Sequence, residues 1–153
     1  MSFFDAISIA ASGLTAERVR MDVTSENLAN ADTTQAANGQ PYQRQEVVLQ
    51  QVGGGFSAAL SGAMSAVPGS SQVNATADGG VEVAGIVSDP TPDQEVYDPG
   101  NPSANSQGYV KMPNVNPVNE MVDMIDESRS YESDVTAMNT AKQMYEKTLD
   151  LLK

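Results

Sequence analysis

Five carboxylates on a predicted C-terminal helix come closest to a catalytic or metal-binding pattern in this sequence. They lie at spacings of three to four residues or close to that, at Asp123, Asp126, Glu127, Glu132 and Asp134. A helical di-metal site combines such acids with Glu-x-x-His pairs, and the chain contains no histidine. We therefore interpret these acids as an exposed, solvated helix face, and we expect no bound metal and no cofactor.

A second group of acids, Asp89, Asp93 and Asp98, lies in a proline-rich segment that could hold Ca²⁺. The alternating acids and central glycine of an EF-hand loop are absent, so a plain loop is the preferred interpretation. The chain has no cysteine, which excludes thiolate nucleophiles and disulfides. Its serines have neither a histidine base nor a Ser-x-x-Lys arrangement. We expect no catalytic residues and no enzymatic activity.

The net charge of −12 argues against nucleic acid and anionic lipid surfaces as partners, because both require basic side chains. The charge is uneven: residues 51–110 contain six acids and no Lys or Arg. No window approaches 18 apolar residues, so we expect no transmembrane segment. The N-terminus lacks a basic region followed by an apolar run, so no Sec signal peptide is expected.

The elements that would position these residues begin with a helix predicted over residues 3–28. Phe4 opens its apolar face, and Ile7, Leu14, Met21 and Leu28 follow at seven-residue spacing, which is typical of a coiled-coil seam. Arg18 and Ser25 interrupt that stripe, and an ordinary surface helix on a globular core is the alternative. The helix should end near Asn27–Asn30, because asparagine tolerates the left-handed C-cap conformation.

A longer helix is predicted from Asn116 to Lys153. Asn116 can cap it, Pro117 suits its first position, and no glycine or further proline follows. Its apolar stripe comprises Val118, Met121, Ile125, Tyr131, Val135, Met138, Tyr145, Leu149 and Leu152. Burying such a stripe does not offset the ordering of about 36 residues, at roughly 1–2 kcal/mol each. The helix therefore needs a partner, and the N-terminal helix is the first candidate.

The middle of the chain predicts short strands. They are expected at residues 42–49, at 75–77 and 81–83 around a turn at Asp78-Gly79-Gly80, at 83–87, at 95–97 and at 107–112. A Gly/Ser/Ala-rich stretch at 51–72 predicts a flexible linker. The fold class is thus α+β, with terminal helices that pair as a coiled-coil-like stalk around a small β-rich insert. The predicted domains are 1–35, 36–112 and 113–153.

Both ends of the chain resemble the flagellar axial proteins of bacteria, the family of rod, hook and hook-associated proteins. The N-terminal signature stands here as Ser12-Gly13-Leu14-Thr15-Ala16 and then Asn27-Leu28-Ala29-Asn30-Ala31-Asp32-Thr33. The C-terminal part, from Met112-Pro113-Asn114 through Asn116-Pro117-Val118-Asn119-Glu120-Met121 to Arg129-Ser130-Tyr131-Glu132, resembles a short proximal rod subunit. The resemblance covers about residues 1–50 and 107–153.

The resemblance implies a structural subunit of the basal-body rod in the periplasm, a helical polymer whose terminal helices pair and stack on those of neighbours. It implies copies of the chain and other rod proteins as partners, and export through the flagellar type III apparatus. The implied assembly residues at the N-terminus are Leu14, Asn27, Leu28, Ala29 and Asn30 from the resemblance, with Phe4, Ile7 and Met21 added from the apolar face of the helix. At the C-terminus they are Asn116, Glu120, Met121, Ile125, Arg129, Tyr131 and Glu132 from the resemblance, with Val135, Met138, Tyr145, Leu149 and Leu152 added from the apolar stripe. The alternatives are another axial component, either a different rod section or a junction or adaptor protein, and a peptidoglycan-cleaving enzyme, which would need paired acids in a cleft.

Overall fold

The computed structural model describes residues 3–36, 39–52 and 79–150. The elements follow one another as helix α1 (Phe3–Ala29), strands β1 (Gln45–Gln51), β2 (Val81–Ser88), β3 (Gln94–Tyr97) and β4 (Tyr109–Met112), and helix α2 (Pro117–Asp150). The two helices pack against each other, and small antiparallel strand pairs lie between them in the chain. The predicted α+β class is confirmed.

Helix α1 ends where the sequence predicts, but the predicted left-handed cap is wrong. None of the described non-glycine residues has a positive φ. Instead the Asn30 N–H donates to the carbonyls of Glu26 and Asn27 at 3.1 and 3.2 Å. The Asn30 side-chain amide donates to the Glu26 carbonyl at 2.9 Å. Because this side chain satisfies a terminal carbonyl, the helix closes without a left-handed residue.

Helix α2 begins with the predicted cap. The Asn116 Oδ1 accepts the N–H groups of Val118 and Asn119 at 3.0 and 3.4 Å, and Pro117 is the first helical residue. Over the described residues α2 has 34 residues and α1 has 27. Helix α2 is therefore seven residues longer than α1 over this range, which is roughly 10 Å at about 1.5 Å per residue.

The strands of the predicted β-rich insert form two two-stranded sheets within the described residues. In the first, β1 pairs with β2, with an irregularity between Val48 and Leu49, and this sheet lies on α1. The predicted turn partner of β2, residues 75–77, lies outside the described residues, as does most of the predicted linker at 51–72. In the second sheet, β3 pairs with β4.

The β3–β4 connection depends on Gly108. Its φ is +82°, and a Cβ there would lie 2.8 Å from Cε2 of Tyr97. The closeness arises because Tyr97 and Tyr109 meet edge to face across the strands, with their ring centroids 5.3 Å apart. Glycine is the residue that fits this turn.

The apolar core is made of small side chains. Among the described residues the buried apolar side chains are Ala16, Val23, Ala31, Val110, Val115 and Ala141, joined by the buried Pro113. Larger buried groups are polar: Thr24, Asn27, Glu120 and Glu127. All four lie between α1 and α2. The helix pair is thus held together by an unusually polar interior.

Candidate assembly site

Helix α2 faces α1 with a seven-residue repeat of acidic and small residues. Glu120, Glu127 and Ala141 are buried, and Asp134 between them is half-buried. The seven-residue spacing keeps them on one stripe of the helix. We refer to the contact of this stripe with α1 as the polar seam. The described apolar residues that were predicted to form the buried stripe of α2 are instead half-buried beside this seam or exposed.

Asn27 is the centre of the polar seam, with 1% of its surface exposed. Its side-chain amide donates to the Gln45 carbonyl at 2.9 Å and to Glu120 Oε2 at 3.1 Å. Its Oδ1 accepts the hydroxyl of Tyr42 and the N–H of Gln45, both at 2.9 Å. Every hydrogen-bonding position of this amide is therefore occupied. One side chain ties together α1, the start of β1 and α2.

Glu120 is also 1% exposed, and its charge is matched by Arg44. The guanidinium Nε lies 2.6 Å from Glu120 Oε1, and its other nitrogens lie 3.5 Å from Asp123 and 4.0 Å from Asp89. The hydrogen bond with Glu120 raises the pKa of Arg44. Burial, and then the nearby Glu26 and Glu120 charges, raise the pKa of the Tyr42 hydroxyl. Glu120 is thus a paired, hydrogen-bonded buried carboxylate, the condition under which such a charge is tolerated.

The Arg44 cluster also joins the two sheets. The Arg44 N–H donates to Asn114 Oδ1 at 2.8 Å, and the Asn114 amide donates to the carbonyls of Asp89 and Thr91 at 3.4 and 3.1 Å. Hydrogen bonds from the Thr91 hydroxyl and N–H lower the pKa of Asp89. These contacts connect the end of β2 to the segment between β4 and α2. They fix the sheets relative to the helix pair.

Glu127 contradicts the prediction of an exposed acidic face. It is 4% exposed; its Oε1 accepts the Thr24 hydroxyl at 3.0 Å and lies 3.6 Å from Arg20 Nε. Its Oε2 is buried and has no hydrogen-bond partner among the described residues. Burial raises the pKa of this carboxyl. The prediction fails because α1 packs on the helix here, and Glu127 lines a partly open polar pocket of about 240 Å³ between α1, the start of β1 and α2.

The other predicted acids divide between the surface and the seam. Asp126 and Glu132 are exposed, as predicted, whereas Asp123 and Asp134 are half-buried. Asp134 lies so close to α1 that a Cβ on Gly13 would stand 2.6 Å from its Oδ2. Gly13 therefore permits the close approach of the helices at this point. No group of acids among residues 3–36, 39–52 and 79–150 is arranged to hold a metal ion.

The implied assembly residues fall into three sets. The buried set is Asn27 and Glu120. The half-buried set is Ile7, Leu14, Met21, Leu28, Asn30, Tyr131, Val135 and Met138. The exposed set is Ala29, Asn116, Met121, Ile125, Arg129, Glu132, Tyr145 and Leu149. The side chain of Phe4 and the whole of Leu152 lie outside what the structure describes.

Four exposed apolar residues open α2 at positions i, i+3, i+4 and i+7. Val118, Met121, Val122 and Ile125 are 67%, 51%, 52% and 53% exposed. That spacing places them on one face, opposite Glu120 and Glu127. We call these four residues the outer patch. Nothing in the described part of the chain covers it.

Comparison with known proteins gives matches at both ends of the chain. The family model described as flagella basal body rod protein matches residues 7–36. The model described as flagellar basal body rod FlgEFG protein C-terminal matches residues 106–151. The flagellar basal-body rod protein FlgC of Bacillus subtilis (strain 168) is 47% identical over 157 residues, covering 100% of both chains. The chain belongs to the FlgC family of flagellar basal-body rod proteins.

Other FlgC proteins agree over nearly the whole length. That of Escherichia coli O6:H1 is 43% identical and covers 99% of this chain and 98% of its own. That of Borreliella burgdorferi is 39% identical and covers 100% and 99%. The two matched segments contain α1 with Asn27 and α2 with Glu120 and Glu127. The resemblance inferred from the sequence motifs is thereby confirmed.

Sequence reasoning identified Asn27 and Glu120 but missed Arg44, which pairs with Glu120, and missed Thr24 and Arg20, which contact the buried Glu127. The Asn-Leu-Ala-Asn motif marked Asn27. The signal for the seam was also present, since Glu120, Glu127, Asp134 and Ala141 repeat every seven residues. Nothing local distinguishes a buried glutamate from an exposed one.

Among the described residues, neither α1 nor α2 has the length and apolar character that a membrane-spanning helix needs.

Proposed function

We propose that this chain is a structural, non-enzymatic subunit of the flagellar basal-body rod that assembles through α1 and α2. The observation that carries the proposal is the outer patch, four apolar side chains more than half exposed on one helix face. Contiguous exposed apolar surface marks a site of protein–protein contact. The rod-protein names of its relatives support the view that other rod subunits cover this patch.

The implied assembly residues have two different roles in this proposal. Asn27 and Glu120 are buried within the subunit, so they hold α1, α2 and β1 in a fixed relation and do not meet neighbours. Met121, Ile125, Arg129, Glu132, Tyr145 and Leu149 are exposed and contact neighbouring subunits. The half-buried Leu14, Met21 and Leu28 serve both roles.

Membership of the rod-protein family supports the following proposed setting for the subunit. Residues 1–35 and 113–153 act as the assembly segments, and residues 36–112 lie on the outside of the rod. The partners are copies of the chain and other rod proteins, within the part of the basal body that crosses the periplasm. We also propose delivery through the flagellar type III export apparatus.

Substitution of the outer patch tests the proposal. Met121→Glu places a charge in the patch without touching the polar seam, so the monomer should keep its helicity by circular dichroism. Incorporation into purified basal bodies should fall at least about tenfold, since burying an unpaired charge at an interface costs several kcal/mol.

Ile86→Glu in β2 is the matched control, because Ile86 is 50% exposed and Met121 is 51%. It should incorporate at close to the wild-type level. Full incorporation of Met121→Glu, or an equal defect in both variants, would overturn the role of the outer patch. Absence of the unmodified chain from basal bodies would overturn the proposed function itself.

A further inference from the structure

The exposed charges on α1 and α2 occur in complementary order. On α1, Arg18 and Asp22 lie beside the stripe formed by Leu14, Met21 and Leu28. On α2, Arg129 and Glu132 follow the outer patch, one to two turns beyond Ile125. All four charged side chains are exposed, and none takes part in an ion pair within the described residues.

We propose that α1 of one copy packs antiparallel on the outer patch of α2 in a second copy of this chain. In the register in which Leu28 lies opposite Val122, Ala29 falls opposite Met121. The same register places Arg18 opposite Glu132, and it places Asp22 opposite Ser128, one residue from Arg129. Apolar groups meet apolar groups, and both charge pairs have opposite signs. The inference rests on the proposed function and adds the identity of the two contacting faces.

The register agrees with the pairing inside one chain. Within the subunit, Asn27 meets Glu120 and Thr24 meets Glu127 across antiparallel helices. The proposed contact uses nearly the same offset on the opposite face of α2. Neighbouring copies would therefore stand side by side, at nearly the same height, with α1 of each copy between two α2 helices.

Small side chains beyond the outer patch leave room for this arrangement. Arg129, Glu132, Ser133, Thr136, Ala137 and Thr140 line a shallow, open groove on α2. In the proposed register Leu14 faces this groove, near Thr136. Helices pack by setting the ridge of side chains on one helix into a groove on the other.

The contact joins two different faces, so it is heterologous. Each copy offers α1 on one side and the outer patch on the other, and the contact can repeat from copy to copy. Repetition at nearly constant height gives a ring or one shallow turn of a helix. The structure thereby assigns lateral contacts between copies to α1 and the outer face of α2.

Disulfide trapping tests the register directly, because the chain has no cysteine of its own. Leu28→Cys and Val122→Cys are placed in separate chains that are expressed together and assembled into basal bodies. Mild oxidation should give a covalent dimer, which can form only between copies. The control combination, Ser8→Cys with Val122→Cys, should give at least about tenfold less dimer, since a disulfide needs Cα atoms within roughly 7 Å.

Charge reversal gives a second, independent readout. Arg18→Glu and Glu132→Arg should each lower incorporation at least about tenfold, and the double variant should recover to within about threefold of wild type. Assembled rods that contain both cysteine chains but yield no dimer, or a double variant as defective as the singles, would overturn the proposed contact. The chain's presence in those rods would still support the proposed function, so the two failures are distinguishable.

Discussion

The two halves of α2 are stabilised in different ways. Residues 117–134 contain Glu120 and Glu127, both buried and both hydrogen-bonded to α1. In residues 135–150 the one buried side chain is Ala141, and the ion pair Lys142–Glu146 joins side chains that are 69% and 61% exposed. An exposed pair of this kind contributes roughly 0–1 kcal/mol. The first half is therefore held by its own chain, and we expect the second half to depend on neighbouring subunits.

If α2 assembles as proposed, it is an assembly element of which only the first half is held in place by its own chain. The polar seam sets the direction in which α2 leaves the β part of the subunit. Beyond Ala141 the helix presents Met144, Tyr145 and Leu149 at 61%, 40% and 46% exposure. A helix with little burial of its own gains stability from the surfaces it packs on.

Removal of Arg44 should have the largest effect on the monomer. Arg44→Met leaves the Glu120 carboxylate buried without its cation, which costs about 3 kcal/mol when one partner of a buried ion pair is lost. Arg129→Met, which removes an exposed arginine outside every described ion pair, should cost less than about 0.5 kcal/mol. Urea unfolding of the two purified monomers measures the difference. An equal loss of unfolding free energy in both variants would show that the first half of α2 does not depend on the Arg44–Glu120 ion pair.

Substitution of Asn27 should have the next largest effect. Asn27→Ala leaves buried groups of Gln45 and Glu120 without partners, at about 2 kcal/mol in total. Asn30→Ala, in the same motif, removes one half-buried amide and should cost roughly 0.5–1 kcal/mol. Thermal unfolding followed at 222 nm compares the two asparagines. A larger loss of stability in Asn30→Ala than in Asn27→Ala would contradict the central position of Asn27 in the polar seam.

The helices and their ends could be predicted from the sequence because their signals are local. The cap at Asn116, Pro117 at the first position and the spacing of apolar residues all act within one or two turns. Strand pairing could not be predicted in the same way, since the partner of β2 is β1, more than 30 residues earlier. The burial of Glu127 could not be predicted either, because its partners Thr24 and Arg20 are about 100 residues earlier in the sequence. The local pattern therefore indicated an exposed side chain.

The protonation of Glu127 should give a smaller, pH-dependent effect. Its pKa is raised above the usual 4.5, chiefly by burial, while Thr24 and Arg20 lower it and Glu17 and Asp123 raise it further. A raised folded pKa means that the stability from Glu127 is complete below about pH 4.5 and is lost as the pH rises through the folded pKa. Glu127→Gln should therefore become more stable relative to wild type as the pH rises from 5 to 8.

The quantity to follow is the difference in the free energy of unfolding between Glu127→Gln and the wild type, because the contributions of the other titrating groups cancel in it. Guanidinium unfolding of both proteins at several pH values measures this difference. A difference that does not change with pH would show that Glu127 titrates in the folded protein as it does in the unfolded chain, and a difference that shrinks as the pH rises would show that its folded pKa is lowered.

The second half of α2 should give the smallest effect on the monomer. Leu149→Ala removes a side chain that is 46% exposed, so the free energy of unfolding should change by less than about 0.5 kcal/mol. The same variant should reduce incorporation into basal bodies, since neighbours lose a contact there. A large loss of monomer stability would place Leu149 in an intramolecular contact.

Hydrogen–deuterium exchange of α2, in the free subunit and in assembled rods, tests the central claim most directly. In the free subunit, amides of residues 120–134 should be protected and those of 142–150 should exchange quickly. In the rod both halves should be protected, with the gain concentrated in residues 142–150. Uniform protection of α2 in the free subunit, or no gain in the rod, would contradict a helix that its own chain holds at one end and its neighbours hold at the other.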